Sequence, residues 1–230
     1  MPSNDEWLRS KVETIHQRLL KAYGEPQRRN PWPPLDQLVN TILSQNTNDV
    51  NRDRAFQRLR QRFPTWEETR DAPAQAVIDA IRPAGLANQK GPRIQKALRR
   101  ITEERGALAL DFLADLPLKE ARAWLMSLNG VGPKTAAIVL LFSLGRPAFP
   151  VDTHVHRVSR RLGLIGERIN AEKAHELLGA LVPPEWYYAF HLNLIRHGRQ
   201  VCHARKPECE ACVLNDVCDF FEQGVSTARR

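Results

Sequence analysis

Two glycines around one apolar residue, Asn129-Gly130-Val131-Gly132, set between two helical patterns, constrain this chain more than any other feature. Ahead of them, Pro117 opens a stretch with apolar residues at Leu118, Ala121, Leu125 and Leu128, the spacing of one helix face. Behind them, Pro133 stands where a first helical residue loses nothing by lacking an N–H. The run from Lys134 to Leu144 is almost wholly apolar after Thr135, which predicts a core helix charged only at its mouth. Glycines let the backbone approach a ligand, and a helix N-terminus offers an anion free N–H groups and a positive dipole end. Pro133 donates nothing, so Val131, Gly132, Lys134 and Thr135 are left as donors. Held there, the Lys134 amine is a candidate nucleophile. A loop through Gly145, Pro147 and Pro150 then leads to Val151-Asp152-Thr153-His154, supplying a carboxylate opposite the lysine. The plainer reading of the turn alone is an αα-hairpin with a solvated lysine.

The second constraint is the cysteines. All four lie close together as Cys202, Cys209, Cys212 and Cys218, spaced C-x6-C-x2-C-x5-C. Four thiols on one loop-rich segment suit a tetrahedral zinc or an iron–sulfur cluster, and ligand chemistry alone leaves both open. The usual zinc ribbon carries two C-x2-C knuckles, and one is present here. In a reducing compartment ligation is favoured over disulfides.

Helical periodicity recurs along the rest of the chain and strand patterns are scarce. Trp7, Leu8, Val12, Ile15 and Leu19 stripe a first helix ending near Gly24, and Glu25 to Pro34 is a Pro- and Arg-containing linker. Leu35, Leu38, Val39, Ile42 and Leu43 form a second, stopping in the polar run from Ser44 to Asp49. Val50 to Phe63 packs Phe56, Leu59 and Phe63 and solvates an arginine face. Next come a helix from Ala74 to Ile81, a turn from Pro83 to Asn88 and a basic helix from Gly91 to Arg105. Beyond the hairpin, helices are expected near 152–162, 171–181 and 185–197. The sum is an all-α fold of about ten helices.

A net charge of +8, from 34 Lys and Arg against 26 Asp and Glu, favours a polyanionic partner. No run of about 18 apolar residues exists to span a membrane. The acids Asp5 and Glu6 leave the first residues unlike a secretory signal. A soluble, cytoplasmic protein, nucleoid-associated in a bacterium, is expected.

LNGVGPKTA, then the Gly/Pro loop and VDTHVHRV, resembles the helix-hairpin-helix Gly-Pro-Asp superfamily of DNA base-excision glycosylases. The cysteine spacing matches the [4Fe–4S] loop of its endonuclease III branch, and the likeness covers nearly the whole chain. It implies two helical domains flanking a DNA-binding cleft: residues 30–146 as a six-helix domain with the hairpin, and residues 1–29 with 147–230 as the iron–sulfur domain. It implies a monomer acting on duplex DNA that holds damaged bases or abasic sites.

By the same resemblance Lys134 forms a Schiff base with the sugar, Asp152 stabilises positive charge on the deoxyribose, and β-elimination nicks the strand. A flipped nucleotide leaves a gap to be filled. The resemblance assigns that task to the Leu43–Asp49 turn, where Asn46 aligns with a common glutamine and Gln45 stands beside it, and to Leu86. It gives His154 a site role and Gly130, Val131, Gly132 and Thr135 contacts to DNA. The cluster loop would present Arg205 and Lys206 to phosphate. Pro133, Asn129 and Asn46 depart from the family's commoner residues. Oxidised pyrimidines are the expected lesions. The alternatives are a thymine, uracil or adenine mismatch glycosylase, although the adenine type typically lacks the hairpin lysine, or a non-catalytic DNA-binding module.

Overall fold

The computed structural model describes residues 4–27 and 30–228, so Arg28 and Arg29 of the expected linker lie outside it. Every regular element among the described residues is helical, as the periodicity predicts. The trace divides into two compact units. One is Asn30–Arg146; the other joins the described residues of Met1–Arg29 to those of Pro147–Arg230.

In the discontinuous unit the first helix is α1 (Asn4–Tyr23). Val12, Ile15 and Leu19 are fully buried on its inner face, but Trp7 is 48% exposed, with the Lys11 ammonium 4.7 Å above its ring. Leu8 is only partly covered, so the buried part of the expected stripe starts at Val12.

The continuous unit runs through α2 (Pro34–Leu43), α3 (Asp49–Arg62), α4 (Trp66–Asp71), α5 (Ala74–Ile81), α6 (Ala87–Arg105), α7 (Leu118–Ser127) and α8 (Pro133–Ile138). Leu38, Ile42, Leu59, Ile81, Ile94 and Leu98 close its core. In α3 the buried residues are Ala55 and Leu59, with Phe56 and Phe63 only partly covered. Its arginine face is largely solvated: Arg52 pairs with Asp49 and Asp53, each at 2.8 Å, while Arg60 stacks 4.4 Å above Trp66.

Two local features differ from expectation. A short helix, α4, is fixed by a capping box in which Thr65 Oγ1 accepts the Glu68 N–H and Glu68 Oε2 accepts the Thr65 N–H, each at 3.1 Å. Helix α6 begins at Ala87 rather than Gly91. Leu86, at φ 51, turns its carbonyl to accept the N–H groups of Gln89 and Lys90, both at 2.9 Å. Pro92 then forfeits a single bond inside a helix of 19 residues. Gly91 is needed where α5 and α6 meet, because a Cβ there would lie 2.9 Å from Ile78 Cγ1. Gly91→Ala gains up to about 1 kcal/mol of helix propensity and loses about 1–3 kcal/mol to overpacking. A net destabilisation of about 1 kcal/mol is expected, read as a lower urea midpoint at unchanged slope.

The discontinuous unit continues with α9 (Thr153–Arg161), α10 (Ala171–Leu181), α11 (Tyr187–Gln200) and α12 (Asp219–Ala228). Its core is Val155, Val158, Leu178, Phe190 and Leu194 with the α1 stripe. The α1 end is tied to α11 by Asn193 and Arg196, which donate to the carbonyls of Gly24 and Tyr23 at 3.2 and 2.9 Å.

Candidate functional site

The hairpin forms as its glycines require. Gly130 sits at φ 82, a conformation L side chains rarely adopt, and a Cβ there would also press on Arg93 Cδ at 2.8 Å. Gly132 caps α8 and Pro133 is its first residue. The expected single helix changes pitch, becoming π-helical over Val139–Ser143 before Gly145 turns the chain.

The donor set at this helix mouth is smaller than the sequence suggests. Val131 is 5% exposed and its N–H is already given to the Leu128 carbonyl at 3.1 Å. Thr135 is buried, only 4% exposed. Lys134 is part-buried, and among the described residues no hydrogen bond or ion pair engages its ammonium.

The polar turn after α2 separates its two candidate gap-fillers. Gln45 donates its amide to the Gly130 carbonyl at 3.0 Å, which ties the turn to the hairpin. Asn46 is exposed at the tip with φ 52. Leu86 is 46% exposed and also left-handed. Behind both turns lies Lys90, 1% exposed, its ammonium donating to the carbonyls of Leu43 and Ala84 at 2.8 Å each. Burial pulls that ammonium's pKa down to about 8.

In the other unit Asp152 N-caps α9. Its Oδ1 accepts the Val155 N–H at 2.8 Å, and no other hydrogen bond or ion pair holds the carboxylate among the described residues. His154 lies against Gly198, and its Nδ1 is 3.1 Å from Arg157 Nη2. Burial pushes the His154 imidazole below its usual pKa, Asp152 opposes, and Arg157 and Arg199 add to the fall.

The cysteine loop hangs on the same helix. Arg157 donates to the Cys202 carbonyl at 3.1 Å. Arg161 reaches the Cys202 sulfur at 3.2 Å and the His203 carbonyl at 2.7 Å. Neither arginine stands out in the sequence, although their i,i+4 spacing on a helix leading from Asp152 is visible there. His197 contributes as well: its Nδ1 meets the Tyr23 hydroxyl at 2.9 Å and its Nε2 lies 3.5 Å from the Cys212 sulfur. Burial holds that imidazole down near a pKa of about 4. Arg205 and Lys206 are exposed on the loop.

All four cysteines are free and line one pocket, with Val158, Leu162 and Phe221 among its walls. Four thiols around one pocket are a donor set that fits an iron–sulfur cluster. Burial raises the thiol pKa of Cys209, Cys212 and Cys218, that of Cys212 to about 11. Iron would hold them as thiolates, and the Arg161 and Leu214 N–H groups already point at sulfur.

The HhH-GPD profile of base excision DNA repair proteins matches residues 39–184, and the iron–sulfur binding domain of endonuclease III matches residues 202–218. The chain belongs to the HhH-GPD superfamily of base excision DNA repair proteins. It is an endonuclease III-like DNA glycosylase with a [4Fe–4S] loop formed by Cys202, Cys209, Cys212 and Cys218. Endonuclease III of Thermotoga maritima is 32% identical over 92% of this chain and 94% of that protein. A non-covalent endonuclease III–DNA complex superposes at a TM-score of 0.80 with 26% identity, covering 98% of this chain and 100% of its own. A thermostable thymine-DNA glycosylase reaches 0.77 with 25% identity over 93% and 98%. No helix among the described residues is long and apolar enough to cross a membrane.

Proposed function

We propose that this chain is a bifunctional glycosylase and abasic-site lyase that removes oxidised pyrimidines from duplex DNA. The observation that carries the reading is Lys134: a part-buried amine beside a hairpin turn, with nothing holding it among the described residues. Its Nζ attacks C1′ of the damaged nucleotide, the bond from C1′ to the base breaks, and the base departs with the bonding electrons. The secondary amine then opens the sugar to an imine. Loss of a C2′ proton and departure of the 3′ phosphate cut the strand. The Asp152 carboxylate stabilises positive charge on the sugar and accepts the amine proton. Asn46 and Leu86 occupy the gap left by the extruded nucleotide, and the hairpin turn with Arg205 and Lys206 holds the phosphate backbone. The two compact units are read as the domains of this enzyme. The cluster, when bound, cross-links the loop that carries those two cations.

The test is borohydride trapping of anaerobically purified protein on duplexes with thymine glycol or an abasic site. A covalent adduct with both is expected. The likeness to a thymine-DNA glycosylase favours one competing outcome: thymine released from a G·T duplex with no adduct on either lesion. That result would replace the proposed reading by a monofunctional one.

A further inference from the structure

Lys90 is one of the largest wholly enclosed side chains among the described residues, and there its ammonium is bonded to two carbonyls and to no carboxylate. A buried ammonium held by carbonyls alone is a costly way to fill a core, since an apolar chain of the same length packs without desolvating an ion. Its purpose is better sought in the two chain ends it holds. Leu43 is the last residue of α2, and Ala84 is the last residue of the 3-10 turn Arg82–Ala84. A cation suits both ends, where carbonyls point outward without helical partners.

Both ends lead into the same kind of turn. Three residues after Leu43 comes Asn46 and two after Ala84 comes Leu86, exposed side chains at φ 52 and φ 51. They are two of the three non-glycine residues with positive φ among the described residues. A left-handed leucine with nearly half its surface in solvent is poorly explained as packing. Its backbone strain persists only if the chain behind it is fixed. The same helix supports the hairpin, because Arg93, one turn on from Lys90, packs beneath Gly130. Gln45 closes the circuit through its bond to the Gly130 carbonyl.

We propose that Lys90 is a positioning residue that fastens the Asn46 and Leu86 turns at one fixed separation, so that both enter the duplex together. The inference rests on the gap-filling role proposed for those turns. It predicts a defect confined to DNA that must be opened.

The test compares wild type, Lys90→Met, Asn46→Ala and Leu86→Ala on an abasic site placed in a duplex and in a single strand. The single strand has no stack to invade and no partner base to hold apart. Lys90→Met is expected to lose about tenfold or more in kcat/KM on the duplex and to stay within about twofold on the single strand. A 2-aminopurine placed opposite the lesion should brighten on binding wild type and stay dim with Lys90→Met, a readout independent of strand cleavage. Equal losses on both substrates, or none on either, would overturn the proposal. Full duplex activity in Asn46→Ala and Leu86→Ala would instead remove the gap-filling reading, and the proposal with it. If those two fail on duplex while Lys90→Met does not, the fault lies with Lys90 alone. Should Lys90→Met not accumulate, Lys90→Gln, which keeps one amide donor, is read on the same substrates.

Discussion

Lys134→Gln is expected to abolish borohydride trapping and to lower strand cleavage at abasic sites by about 10³-fold or more, because the proposed imine forms on this amine. The wild-type side chain is part-buried and holds no hydrogen bond or ion pair among the described residues. Its removal therefore strands no partner, and stability should stay within about 0.5 kcal/mol of wild type. The two readouts separate chemistry from folding: adduct on a denaturing gel, and the thermal midpoint of the variant with its cluster absorbance intact. Undiminished trapping would move the nucleophile elsewhere in the chain.

Asp152→Asn should have the second-largest effect, and here the structure supplies an internal control. Asparagine caps a helix about as well as aspartate, so the bond from the Val155 N–H to the side-chain oxygen survives. The negative charge alone disappears. Base release is expected to slow by about 10²–10³-fold, the scale of losing a positioned electrostatic partner, while the urea midpoint stays near wild type. Asp152→Ala loses the cap as well and should cost about 1 kcal/mol of stability. If Asp152→Asn releases base at the wild-type rate, Asp152 is a helix cap and nothing more.

The parts of this molecule that can be read from residues are those where a single residue type dictates backbone or ligand. Gly130 and Pro133 mark the turn and the helix start, and both lie where the pattern puts them. The helix Ala74–Ile81 begins after Pro73 and ends where its apolar face ends. The cysteines announce their pocket by spacing. Harder to read is anything decided by tertiary surroundings. Lys90 sits in a basic stretch with Lys96, Arg99 and Arg100 and looks like one more solvated charge until α2 and the 3-10 turn close over it. The pair Gly91-Pro92 imitates a helix start and hides the real one, which a left-handed Leu86 sets. Val131 has a backbone N–H at the right place for an anion, but the turn itself uses it, through the Leu128 carbonyl. The change to π geometry after Ile138 has no marker in a uniformly apolar run. The capping box at Thr65 and Glu68 is different, because its pattern is present in the residues themselves and needs no tertiary contact to be recognised.

The discontinuity of the unit that holds the cysteines bears on the order in which the chain can fold as it is made. Helix α1 leaves the ribosome first among the described elements, yet the Lys11 ammonium pairs with Asp219 and the Tyr23 hydroxyl meets His197. Its apolar stripe of Val12, Ile15 and Leu19 must wait for partners in the segment that follows Pro147. Residues 30–146 meanwhile form a compact unit from one uninterrupted stretch, which can close while translation continues. The four-thiol pocket is complete only once Cys218 has emerged, so it forms after residues 30–146 have been made.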